Sequence, residues 1–273
     1  MTSKIKHIVM TRLNQKWVYR DLHEDYMQYR LDLFEIGTLK SVIGQSDKDF
    51  TFIILTSPTL PDHIRERTES YSGVQVIYKD RKDGNQIPGR SFAKILLDPF
   101  DLGDYDKIVT TTIDSDDLMR FDYIKTVNNI ARNENNAMPS LIRSLATINI
   151  GASFSKYVVR GFNPPLFSFV EDIKNGTENV GTCFCRGHKC INRNSKSIID
   201  IDVPFVMLQH ASNNLMGKSG ISKKLRDYKY KLSDYGVDEK EILSFLRKEV
   251  PEDYQKREDS IRKYRRSFVG GRK

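Results

Sequence analysis

Apolar and polar positions along the first half of the chain switch repeatedly between two periods. Lys6-His7-Ile8-Val9-Met10-Thr11 is a short run of strand formers that ends in Arg12-Leu13-Asn14, and it predicts a strand with a polar loop at its carboxyl end. Tyr29 to Val42 instead places Leu31, Phe34, Leu39 and Val42 on a helical stripe, with Leu33 and Ile36 between them and Gly37 near the middle. Phe50 to Thr56 is nearly continuous in apolar character, as a strand covered on both faces must be, and Pro58 and Pro61 close it. A helix from Pro61 to Tyr71, a strand from Val74 to Tyr78, a polar loop from Lys79 to Arg90 and a helix from Ser91 to Leu97 follow. Strand and helix alternate up to the next apolar run, so the pattern predicts a parallel, doubly wound α/β sheet.

That next run is Lys107-Ile108-Val109-Thr110-Thr111-Thr112-Ile113, and it stops on Asp114-Ser115-Asp116-Asp117. Carboxylates at the end of a buried strand are costly unless a cation meets them. If the chain stays extended, alternation sends Asp114 and Asp116 to one side. Oxygen ligands of this kind favour Mg²⁺ or Mn²⁺, and ligands of open α/β sheets sit outside the carboxyl ends of the strands. The alternative is a helix cap, since Asp114 or Asp117 would suit the start of a helix near Leu118. One Asp would suffice for that, so the cluster favours the metal.

The second half is less regular. A helix is expected from Phe121 to Glu134, then β-like runs at Ile142 to Ile150 and Phe154 to Arg160, a hairpin at Thr182 to Asn192 and a strand at Ile198 to Val203. From Ser222 onward the pattern is helical, interrupted at Gly236 and Pro251 and dominated by charge.

Charge and cysteine change this picture in two places. The net charge of +8 is concentrated in Lys218 to Lys273, where 17 basic and 10 acidic residues leave +7. A nucleic-acid-binding core would carry its basic excess in the folded domain, so no nucleic acid is expected, and the division is a domain over 1–217 and a basic helical extension over 218–273. That extension has two candidate partners, an anionic membrane surface and an acidic face of another subunit; the alternative is a helical pair packed on the domain. No apolar run is long enough for a membrane span, and the amino terminus lacks the layout of a signal peptide, so a soluble, cytosolic protein is expected, peripheral to the membrane at most. The three cysteines, Cys183, Cys185 and Cys190, give no disulfide framework by their odd count. With His188 they offer four soft ligands, but four ligands within so short a stretch are tighter than structural zinc spacing, and reduced thiols are the favoured reading.

Four stretches together resemble a bacterial rhamnosyltransferase family of the GT-A fold. They are His7 to Asn14, Arg30 to Glu35 with Ser41 to Ser46 and Phe50, Thr111 to Asp117, and Val203 to Asn214. The chain departs from the family pattern at Leu13, Ile113 and Met207, where Phe, Arg and Trp are usual. The resemblance implies a mixed, mostly parallel sheet flanked by helices, a nucleotide-sugar donor and a bridging Mn²⁺ or Mg²⁺. Asp116 would then be the main metal ligand, Asp114 would touch the ribose or a metal-bound water, and His210 would complete the metal shell. Thr11, Arg12, Asn14, Arg90 and Lys94 would line the donor site, Lys94 standing where related transferases carry Arg. The alternative for His210 is a carbonyl-satisfied structural histidine, and for each basic residue a solvated loop charge.

An acceptor hydroxyl needs a base, and the adjacent Glu171 and Asp172 are the candidates, with an ordinary solvated acid as the alternative. The expected activity is metal-dependent transfer of a sugar, with rhamnose or another deoxyhexose as the candidate, to a hydroxyl of a glycan or other acceptor. Two rivals are a nucleotidyltransferase, whose Gly-rich phosphate loop is not visible between Met10 and Leu22, and a non-catalytic module that binds carbohydrate or nucleic acid.

Overall fold

The computed structural model describes residues 2–15, 23–79, 89–133, 139–144, 146–151, 154–159, 166–174, 176, 180–183, 197–210 and 231–248. Strands β1 (Ile5–Arg12), β2 (Thr51–Thr56), β3 (Val74–Tyr78) and β4 (Lys107–Thr112) are parallel neighbours, as their apolar runs predict. Side-chain alternation explains why those runs are so continuous. Ile8, Met10, Ile53, Leu55 and Ile108 pack under Leu96 and Leu97 of the helix Gly89–Leu97, whereas Val9, Phe52, Ile54 and Val109 pack on the opposite face. Both faces are therefore dry.

Helices α1 (Glu24–Phe34), α2 (Lys40–Ile43), α3 (Asp62–Glu69), α4 (Gly89–Leu97) and α5 (Tyr123–Asn133) flank this sheet. The helical stripe read from Tyr29 to Val42 is α1 running into α2 through a π-helical stretch, Glu35–Leu39. Gly37 lies in that stretch, and a Cβ there would come 3.1 Å from the Leu118 side chain and 3.5 Å from that of Leu208. The wide turn and the missing side chain let the helix press against the strands beside the acidic turn.

The acidic sequence does not continue β4. The strand ends at Thr112, Asp114 to Asp117 form a turn closed by an Asp117 N–H donating to the Asp114 carbonyl at 3.1 Å, and Asp117–Leu118 is a two-residue strand, β5. Asp114 and Asp116 are therefore set by a turn rather than by strand alternation, and no helix begins at Leu118 for them to cap.

The run from Ile142 to Ile150 divides into β6 (Ser140–Ser144) and β7 (Ala146–Gly151), which belong to different sheets. With β8 (Phe154–Val159), β9 (Phe167–Asp172), β10 (Ser197–Ile201) and β11 (Phe205–Gln209), the large sheet takes the order β10-β6-β9-β4-β1-β2-β3 and the small one β5-β11-β7-β8. In the large sheet β9 alone runs against its neighbours, antiparallel to both β4 and β6.

Residues 231–248 of the expected extension lie on this domain. A short 3-10 turn, Leu232–Tyr235, leads through Gly236, whose φ of 70° is left-handed, to α6 (Glu239–Leu246), capped by the Asp238 carboxylate. Leu232, Tyr235, Val237, Ile242, Phe245 and Leu246 share a buried cluster with Tyr29 and Leu33 of α1, Leu118 of β5, and Val206 and Leu208 of β11. Residues 211–230 and 249–273, and with them most of the +7 segment, lie outside the described residues, as do Cys185, His188 and Cys190. Cys183 is buried beside Leu141, Phe167 and Phe169. Among the described residues no helix is long and apolar enough to cross a membrane.

Candidate functional site

Charge gathers where β1 and β4 deliver their carboxyl ends. The turn Asp114 to Asp117 is pinned by backbone and hydroxyl contacts: Thr38 Oγ1, from the π-helical stretch, donates to the Asp117 carbonyl at 2.8 Å, and the Leu208 N–H of β11 donates to the Asp116 carbonyl at 3.3 Å. Two elements distant in sequence thus hold one turn.

Arg30 of α1 reaches into it. Its Nη1 donates to Asp116 Oδ2 at 2.9 Å, and its Nη2 donates to Ser115 Oγ at 2.6 Å. His210, which directly follows β11 and has no exposed side-chain surface, brings Nε2 to 2.9 Å from the same Asp116 Oδ2. Nε2 also lies 3.3 Å from Arg30 Nη1, but a proton donated to Asp116 leaves that nitrogen no lone pair for the guanidinium. The burial of Asp116 would by itself raise its pKa, yet the Arg30 charge and the His210 hydrogen bond outweigh it and hold the carboxyl well below the usual carboxylate range. Tyr29, next to Arg30, stacks at a tilt 6.1 Å from the His210 ring and 4.9 Å from the Phe245 ring of α6, and burial pushes its hydroxyl up to about 12.

Arg12, at the end of β1, stands 4.0 Å from Asp114 Oδ1, and both side chains are partly exposed. At the same end of the sheet, four buried oxygens have no hydrogen-bond partner among the described residues: Thr11 Oγ1, Asn14 Oδ1, Gln15 Oε1 and Thr56 Oγ1. All four sit at or just beyond the carboxyl ends of β1 and β2. Asn14 keeps a left-handed backbone at φ 48°, and its amide donates to the Met27 carbonyl at 3.0 Å. Buried polar atoms are nearly always satisfied, so these four are exceptions gathered at one end of the sheet.

The structure therefore brings Thr11, Arg12, Asn14, Asp114, Asp116 and His210 to one end of the sheet. It does not bring Lys94 there: this residue is exposed on α4, beside Asp98 and the loop that enters β4 from its amino end. Arg90 belongs to the first turn of α4, but its side chain lies outside the described residues.

Glu171 and Asp172 are also at the wrong end, which corrects the expectation of a catalytic base there. Because β9 is antiparallel to β4, Glu171 pairs with Ile108 and Asp172 with Lys107. At about 3.3 Å per residue, Glu171 stands roughly 13 Å short of the end of β4 that leads to the acidic turn. Its carboxylate accepts the Gly181 N–H at 2.8 Å and the Thr182 N–H at 2.9 Å. Burial raises its pKa and these two amides oppose the rise, as in a structural anchor. Glu171→Gln is expected to lower stability by about 1–3 kcal/mol, because its amide NH₂ would face a backbone donor. Measured below the unfolding transition, kcat and KM for the protein's transfer reaction should stay at wild-type values; a loss of kcat in a folded variant would return Glu171 to the chemistry.

A divalent cation fits these residues poorly. Asp116 Oδ2 already meets both Arg30 and His210, so a metal on Asp116 and His210 would face a guanidinium within the same few ångströms. Among the described residues no group of three or more His, Cys, Asp or Glu side chains is disposed to hold a metal ion. The contact that sequence reasoning missed is Arg30. It lies 86 residues before its acid, on a helix whose pattern reports only its buried face. The usable signal was the cost of the buried acids themselves, which demands a cation from somewhere.

Parallel strands in the order β3-β2-β1-β4, an antiparallel strand next to them, and an acidic turn leading into a second small sheet define a Rossmann-like GT-A fold. The chain belongs to the family described as "Putative rhamnosyl transferase", whose model matches residues 13–215. That family is by its description one of glycosyltransferases. The matched span holds every residue of the site except Thr11 and Arg12. No curated protein matches the chain. Among solved structures, the crystal structure of a homologue of a Mycobacterium tuberculosis protein, from Mycobacterium sp. strain JC1, shares 13% identity at a TM-score of 0.39, covering 72% of this chain and 87% of that one.

Proposed function

We propose that the protein transfers a sugar, rhamnose or another deoxyhexose, from a nucleotide-sugar donor to a hydroxyl of a glycan or other acceptor. The observation that carries this reading is the gathering of Arg12, Arg30, Asp114, Asp116 and His210 at the carboxyl ends of β1 and β4, inside a chain of a rhamnosyl transferase family. In this reading the nucleoside lies over the ends of β1 and β2. There the left-handed turn at Asn14, just beyond β1, bounds its base. Asp114 turns toward the ribose hydroxyls, and Arg12 toward the diphosphate, because guanidinium pairs well with phosphate oxygens. Fixed positive charge at the departing diphosphate is electrostatic stabilisation of the leaving group.

Binding of such a donor stabilises the native chain by mass action. Thermal unfolding of the full chain with nucleoside diphosphates and their sugar esters should therefore show one base raising Tm by several degrees. It should also show Asn14→Ala reducing that shift. Equal unfolding temperatures across the panel would refute the donor assignment.

A further inference from the structure

Arg30 occupies the position at the acidic turn that a resident cation would otherwise take. Its guanidinium touches Asp116 and Ser115 at once, 2.9 and 2.6 Å away, and only 14% of its side chain is exposed. The helix that carries it is pressed onto the turn by the π-helical stretch, whose Thr38 holds the Asp117 carbonyl. Arginine stays protonated at any physiological pH, so this charge is permanent. His210 takes the other approach to Asp116 Oδ2, so that oxygen is engaged from two sides within the protein. A divalent ion seated on Asp116 would have to displace Arg30 or stand against it. Guanidinium, by contrast, presents its N–H fork to phosphate oxygens in the manner that it does to carboxylates.

We infer that Arg30 is the built-in cation of the donor site, and that the site binds the diphosphate of its nucleotide without a divalent metal. The inference rests on the donor reading above and adds what neutralises the leaving group. During transfer, the bond from the anomeric carbon to the diphosphate oxygen breaks and its electron pair stays on that oxygen, beside Arg30 and Arg12. The anomeric carbon bonds the acceptor oxygen, whose proton is released to water. Arg30 also orients Asp116 and Ser115, so its removal changes the turn as well as the charge.

The test is thermal unfolding of the full chain with ADP, GDP, UDP or dTDP, each in excess EDTA and in Mn²⁺, alongside titration of Mn²⁺ alone followed by its electron paramagnetic resonance signal. The wild type should be stabilised to the same extent by at least one nucleotide in EDTA and in Mn²⁺, and should leave the free Mn²⁺ signal unchanged. Arg30→Lys should keep part of the nucleotide shift. Arg30→Ala should lose it in EDTA, with affinity down at least tenfold, and should acquire Mn²⁺ binding because Asp116 and His210 are uncovered. A purely structural arginine would leave the nucleotide shift in EDTA intact. A wild-type shift that appears only with Mn²⁺, or a full shift in EDTA for Arg30→Ala, overturns the inference and leaves the donor reading standing. No shift by any nucleotide with or without Mn²⁺ overturns the donor reading and this inference with it. Should Arg30→Ala fail to fold, the wild-type comparison of EDTA with Mn²⁺ decides alone.

Discussion

Asp116→Asn is expected to reduce sugar transfer about a hundredfold, because Asp116 holds Arg30 in place and a misplacement of about 1 Å costs about 10²-fold. The carboxylate is the one group that meets both Arg30 and His210, each at 2.9 Å. An amide keeps the shape but loses the charge, so the guanidinium is left in a poorly solvated place without its counterion. Breaking a largely buried pair by removing one partner costs about 3–5 kcal/mol, somewhat less here because Asp116 keeps 17% of its side-chain surface. Activity must therefore be measured well below the lowered transition, with far-UV circular dichroism as the check of folding. Transfer at the wild-type rate by a folded Asn variant would remove Asp116 from the chemistry.

A chain truncated after Gly217 is expected not to reach the native state. It would lack Leu232, Tyr235, Val237, Ile242, Phe245 and Leu246, all buried against α1, β5, β7 and β11. Burying one large apolar side chain contributes about 1.5–3 kcal/mol, so six together match or exceed the roughly 5–15 kcal/mol of a whole domain. Polar links would go as well: the Tyr235 hydroxyl donates to the Pro204 carbonyl at 3.1 Å, and Lys40 pairs with Glu241 at 2.6 Å. The effect reaches the site through Phe245, which stacks on Tyr29 next to Arg30. Near-UV circular dichroism and urea unfolding of the truncated chain are the measurements. A cooperative transition at the wild-type midpoint would show that residues 231–248 are dispensable. The milder Phe245→Ala should cost about 3–5 kcal/mol.

Sequence legibility followed the range of the interactions involved. β1 to β4 and the helices between them were readable because both faces of the sheet are covered and the apolar runs are accordingly unbroken. The division of the run from Ile142 to Ile150 into β6 and β7, which lie in different sheets, left no mark, since both strands are buried to a similar degree. The antiparallel direction of β9 was equally silent: period-two alternation is the same read either way, and that direction alone moved Glu171 and Asp172 away from the acidic turn. Gly37 was visible as an interruption of a helix, but its reason, the approach of Leu118 and Leu208, lies far along the chain. The acidic turn itself stood out from its chemistry, because charge at the end of an apolar run requires an explanation. Its partner Arg30 did not, since pairing across tertiary structure has no spacing.

A buried polar chain in the core shows the same limit. His7 lies between Asn128 Oδ1 at 2.6 Å and Thr111 Oγ1 at 2.7 Å, and burial lowers its pKa to about 4, so at neutral pH it is an uncharged linker inside the sheet. Nothing in the run Lys6 to Thr11 separates such a residue from a titrating surface histidine.

The central claim, a nucleotide-sugar-dependent transferase working at the carboxyl ends of β1 and β4, is tested most directly by the release of nucleoside diphosphate. Many transferases pass their sugar slowly to water, so no acceptor need be known. Full-length protein incubated with a panel of nucleotide sugars, followed by chromatographic quantification of free nucleoside diphosphate, should give release from one donor class with the wild type and none above background with Asp116→Asn. Equal release by the two proteins, or none from any donor by a folded wild type, would contradict the account.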